Sequence, residues 1–211
     1  MTRELRYRII ALQAVLVIVF AFCAGFLFWG SGFVNGMIHD QLAAQKIYFP
    51  AKDSPATTAL PAADAAAMQR YAGQQLTTGD QAEVYADHFI RVHLNEAAGG
   101  KTYAEVSAAA QANPQDQKLA GQVQTLFRGE TLRGLLLNAW GWSQVAMYAL
   151  YAGIVLTLAA LVVLGALIFE VLGMRRSAPE LAGQRVVGEN GPGQKEVGSR
   201  VTVARSSLIS P

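Results

Sequence analysis

The chain has 211 residues, is 52% hydrophobic and 15% charged, has a mean hydropathy of +0.25 and carries a net charge of +2. This is too apolar for an ordinary soluble domain and too weakly basic, with no long basic cluster, for a nucleic-acid partner. The single cysteine, Cys23, excludes an internal disulfide and a cysteine-based zinc cage.

In chain order, residues 1–8 form a basic lead containing Arg3, Arg6 and Arg8. Residues 9–38 then carry no charge and no histidine. As a helix this stretch runs about 45 Å, against about 30 Å of bilayer hydrocarbon. A first span over 9–36 is expected, as an uncleaved anchor. The apolar run is too long for a signal peptide, and Phe22 precedes Cys23 where a lipoprotein signal needs a small residue. Residues 134–169 are the second charge-free stretch, expected to give an interfacial segment over 134–144 and a second span over 145–172. Arg175 and Arg176 follow it, so both ends carry the cytoplasmic charge signature. That places 37–133 on the extracytoplasmic side of the membrane, with Trp29, Trp140 and Trp142 as outer-interface anchors.

The outer segment is predicted to be helical and to lack an alternating β pattern. Residues 49–61, with three prolines, read as a linker. Pro61 then opens a helix expected over 63–76. Thr78 with Gln81, and Thr102 with Glu105, have capping-box spacing, and Gly99–Gly100 and Asn113–Pro114 are helix stops. A last helix is expected from about Gln115 into the second span. Residues 173–211, rich in Gly, Ser and Pro, read as a disordered cytoplasmic tail. The fold class is therefore all-α: two transmembrane helices flanking a small extracytoplasmic helical domain.

Motifs that resemble catalytic ones fail on spacing. "AAGGKT" has Asn95 where a phosphate loop needs glycine. His88 and His93 are five apart, about 140° around a helix, and share no metal easily. His93 is expected on a core stripe with Ala82, Ala86, Phe89 and Ala97, donating to a neighbour. His88 is expected on a solvated face where Asp87 pairs with Arg91. No catalytic, cofactor or metal site is predicted, and the chain reads as a non-enzyme.

Two other sets stand out. Small residues four apart, Ala21/Gly25 and Gly32/Gly36 in the first span and Ala149/Gly153 in the second, allow close helix approach. They suit closure of the hairpin, a homo-oligomer or a membrane-protein partner. Phasing of the last outer helix puts Glu130 and Arg133 on the protein-facing side, with Leu132, Leu135 and Leu136 turned toward lipid. If Trp29 and Trp142 mark one interface, Asp40 and Arg133 stand at similar heights. The predicted neck pairing is then Asp40 with Arg133 and His39 with Glu130.

The stretches "GDQAEVYADHFIRVHL", "GGKTYAEVSAAAQANP" and "QTLFRGETLRGLLLNAWGW" resemble a group of uncharacterised two-span membrane proteins of high-GC Gram-positive bacteria. The resemblance spans roughly residues 9–170, implies a bacterial plasma-membrane location, and carries over no activity and no catalytic residues, leaving function open. The function expected is a membrane scaffold or accessory subunit. The alternatives are a sensor relaying helix movement, and a ligand-binding or enzymatic outer domain using His88, Asp87 and Arg91.

Overall fold

A computed structural model describes residues 3–189, with side-chain surroundings from residue 4 to residue 174. Among the described residues its regular elements are all helices, joined by turns and loops, with one isolated antiparallel bridge between Tyr48 and Gln75. Helix α1 (Arg3–Ala44) leads into a cap of short helices, and α7 (Gln117–Glu189) returns antiparallel to α1 as one unbroken helix. Both long helices have stretches long and apolar enough to cross a membrane, within Glu4–Ala44 and Gln117–Met174. Large apolar side chains along them face outward, such as Phe22 at 74% and Val162 at 73% exposure. In water such a surface invites association; this suggests a membrane protein. The helix runs to Glu189, past the expected boundary at 172; residues 190–211 of the expected tail lie outside the described residues.

The two long helices meet along seams that repeat every seven residues. Ala24, Ser31 and Ile38 are buried on α1, and Ala146, Gly153 and Ala160 on α7. A seven-residue repeat is 3.5 residues per turn, so the helices are expected to coil left-handedly, and small side chains let the backbones come close. The Phe28 ring lies 2.9 Å from where a Cβ on Gly153 would stand. Gly153 is thus a packing residue, with Ala149 half-buried beside it. The α1 set is corrected: Ala21 is exposed, and Cβ atoms built at Gly25, Gly32 and Gly36 would meet nothing within 4 Å. Gly25 and Gly32 each follow a seam residue, about 100° round the helix from it.

The expected linker is part of the cap. Phe49, Thr57 and Leu60 are buried, and Pro55 opens a single turn, α2 (Pro55–Thr58). Thr57 Oγ1 donates to the carbonyl of Ala51 at 3.1 Å. Pro61 precedes α3 (Ala62–Gln69), which stops short of the predicted Leu76. Gly73, at φ +72, turns the chain back in a conformation that favours glycine. The returning segment is clipped to the stretch that follows α1 by Phe49 N–H to Gln74 O and Leu76 N–H to Ile47 O, both 2.9 Å. Leu76 and Met68 become the centre of the cap core.

Both capping boxes form. Thr78 opens α4 (Gly79–Tyr85), and Thr102 opens α6 (Tyr103–Ala112). Between them α4 passes through a π-turn (Ala86–Ile90) into α5 (Arg91–Ala98), which ends on left-handed Gly99. The π-turn explains a misplaced stripe. Five of the buried apolar residues, Ala82, Ala86, Ile90, Leu94 and Ala98, follow a strict four-residue spacing, with Val84 and Val92 buried on the flank. On a uniform α-helix that spacing slides about 40° per step. One wider turn holds the stripe back toward the core. His93 and Ala97, predicted on the core stripe, are consequently exposed. His93 Nδ1 donates to the Phe89 carbonyl at 2.7 Å, since a carbonyl can only accept.

At the α6 cap, Glu105 accepts from the Thr102 N–H at 2.7 Å and the Thr102 hydroxyl at 2.8 Å. These bonds, the backbone one foremost, hold its carboxyl below the usual carboxylate range. A depressed folded-state pKa means that this stabilisation is present above the unfolded value and is lost as pH falls through the folded one. We expect the Thr102 amide resonance to shift in that acid window, and Glu105→Gln to abolish the shift.

Candidate functional site: a charged neck around the π-turn

The π-turn presents two adjacent side chains to two different helices. Asp87 reaches α7, where Arg133 donates to its Oδ1 from Nε at 3.0 Å and from Nη2 at 2.6 Å. Arg133 also reaches Glu130 Oε2 at 3.4 Å. His88 turns to α3, its Nδ1 2.8 Å from Asp64 Oδ1. Arg91, one turn on, donates from Nε to the Asp87 carbonyl at 2.8 Å and lies 3.4 Å from Asp64. Alternating charges therefore link the first turn of α3 to the helix that enters the second span.

Burial makes this more than a surface pairing. The side chains of Arg133 and Asp87 are 26% and 31% exposed, and that of Asp64 is 14% exposed. The Asp87 hydrogen bonds hold the Arg133 proton more tightly than usual, against the opposing effect of burial. Burial alone pushes the Tyr85 phenol up. Among the described residues no group of three His, Cys, Asp or Glu side chains is placed to hold a metal ion.

The predicted neck pairing is overturned. Asp40 is 85% exposed and, among the described residues, its side chain meets only its neighbour His39, at 3.2 Å. Asp40 is two residues from both Ile38 and Leu42, the buried stripe of α1, and so lies about 200° round the helix from it. The heights differ as well. Phe28 packs on Gly153, so Trp29 lies near Tyr151, and Trp142 stands about 14 Å farther toward the cap. Trp29 and Trp142, and with them Trp140, cannot mark one plane. Arg133 consequently sits about 10 Å beyond Asp40 along the hairpin axis. Glu130 keeps its place beside Arg133, but as an i,i+3 neighbour and not as a partner of His39.

Other expectations are resolved locally. Asp87 and Arg91 do not pair through their side chains; each is engaged elsewhere. Arg133 faces protein as predicted, whereas Leu136, predicted toward lipid, is 1% exposed against 63% for Leu135. Sequence reasoning missed Asp64. Its position in a helix's first turn is explained by the helix dipole alone, which gives no sign of a distant histidine.

Comparison with protein-family models, with curated proteins and with solved structures finds no match to the chain.

Proposed function

We propose that the protein is an integral membrane scaffold or accessory subunit of a membrane complex, displaying its helical cap outside a bacterial plasma membrane with both termini in the cytoplasm. The basic residues flanking both spans support that orientation. The observation that carries the scaffold reading is the face of α1 that the hairpin leaves open. Ala21 and Gly25 line an apolar groove of about 370 Å³ with Phe28, Thr157, Ala160 and Leu164, and Gly32 and Gly36 continue the open face toward the cap. Small residues exposed in lipid give a partner helix a place to pack closely.

Mild-detergent purification followed by mass spectrometry tests this reading. A defined membrane partner should co-purify, and a Gly25→Leu/Gly32→Leu variant should lose it while the cap melts unchanged, because both positions lie in α1 below the cap and a Cβ at either would meet nothing within 4 Å. Recovery of a monodisperse monomer alone would contradict it. A second reading, a sensor, is favoured by one feature: α7 runs unbroken from the cap through its span and is clamped by Arg133. A sensor requires ligand-dependent changes in amide exchange around the π-turn.

A further inference from the structure

A cleft opens between α1 and α7 at the cap end of the spans. It holds about 230 Å³, below the roughly 300–1,000 Å³ of a pocket that encloses a drug-sized ligand. It therefore suits the end of a longer molecule. Ile38, Leu42, Leu132 and Leu136 supply an apolar floor, all of them buried or half-buried. Three amide side chains, Gln41, Gln45 and Asn138, stand at the exposed rim, and none makes a hydrogen bond to another described residue. Among the described residues no Lys, Arg, His, Asp or Glu lines the cleft.

The cleft is joined to the membrane-level surface by an aromatic path. Met37, at its edge, continues on one helical face into Phe33, Trp29 and Phe26. These rings form a ladder, with centroids 5.6 Å apart for Trp29–Phe33 and 5.8 Å for Phe26–Trp29. Each rung is more than half exposed. An apolar chain lying along the ladder stays in contact with protein from span level to the cleft floor. What reaches the rim meets amides that can hydrogen-bond and, among the lining residues, no charged side chain with which an ion could pair.

We propose that this cleft binds the head end of a bilayer lipid whose head is uncharged and hydrogen-bonding, of the diacylglycerol type, with an acyl chain running down the aromatic ladder. Gln41, Gln45 and Asn138 meet its hydroxyl and ester oxygens, amides offering both donors and acceptors. Anionic lipids are disfavoured, because a phosphate at the rim finds no cation. The assignment rests on the spans lying in a membrane and is independent of whether the protein serves as a scaffold.

The full chain in phosphatidylglycerol nanodiscs tests it, using diacylglycerol with a diazirine near the glycerol and, separately, phosphatidylglycerol labelled at the same position. Cross-links are mapped by mass spectrometry. Diacylglycerol should label 37–45 and 132–142 in preference to the remaining lipid-facing surface. Gln41→Glu replaces a rim donor by a charge, and Leu135→Trp fills the cleft from a position already 63% exposed. Gln41→Glu should reduce labelling there roughly three- to tenfold, the loss of about one hydrogen bond, and Leu135→Trp should reduce it by occlusion, while labelling along the spans persists. Both positions are exposed, so unchanged melting confirms that the fold survives. Equal labelling of the cleft by the anionic probe, labelling no denser there than elsewhere, or labelling indifferent to both variants overturns the proposal.

Discussion

Replacing Arg133 with Gln weakens the docking of the cap on α7 by about 2 kcal/mol. This value lies between the 3–5 kcal/mol for breaking a fully buried pair and the 0–1 kcal/mol of an exposed one. The intermediate value follows from side chains 26% and 31% exposed, joined by two charge-assisted hydrogen bonds to one oxygen. Removing the guanidinium leaves Asp87 half-buried without its partner. Removing both charges relieves that penalty, so Arg133→Gln with Asp87→Asn should be less destabilising than the sum of the single changes, with a coupling of about 1–2 kcal/mol. Asp40→Asn supplies the contrast. Its carboxylate is exposed and remote from Arg133, so its combination with Arg133→Gln should be additive. Thermal melting in detergent, followed through the cap, compares the five variants with the unsubstituted protein.

Gly79→Ala and Gly129→Ala each destabilise by about 1–3 kcal/mol, the usual cost of overfilling a packed interface. A Cβ on Gly79 would run into the Ser143 side chain and stand 3.4 Å from the Trp140 Cα. The obstacle is thus the body of α7, and the cap must move away to admit a methyl group. A Cβ on Gly129 would collide with the Leu94 side chain, itself buried at 7% exposure and held by the cap core. Gly121→Ala on the same helix should act oppositely. Nothing lies within 4 Å of its Cβ position, so the higher helix propensity of alanine should stabilise by about 0.5–1 kcal/mol. Equal effects at the three positions would mean that the cap does not rest on α7 as described.

Features governed by a few neighbouring residues were legible in the sequence. Two charge-free stretches gave the long helices, and Thr78/Gln81, Thr102/Glu105 and Gly99 gave helix ends that form as expected. Features that depend on rotation about a helix were not. The π-turn has no residue signature in "ADHFI", yet it displaces His93 and Ala97 from the core and decides where Asp87 points. Arg133 was correctly turned toward protein, but its partner lies in a separate helix, and pairing across such a distance is fixed by tertiary packing. The small-residue pattern marked Gly153 correctly. It missed Ala24 and Ser31 because a seam repeating every seven residues, not every four, sets which side of α1 faces α7. Treating the tryptophans as one belt failed because aromatic rings also pack on protein, as Trp29 does with Phe26 and Phe33.

The central claim is a transmembrane hairpin with its cap outside and its termini inside. Cysteine labelling tests it directly: with Cys23 replaced by Ser, Asn113→Cys in the cap and Thr2→Cys at the N-terminus are exposed separately to a membrane-impermeant maleimide on intact cells. The account predicts that the Asn113→Cys protein is labelled at once and the Thr2→Cys protein only after the membrane is permeabilised. Labelling of both in intact cells, or of the Thr2→Cys protein alone, would contradict it.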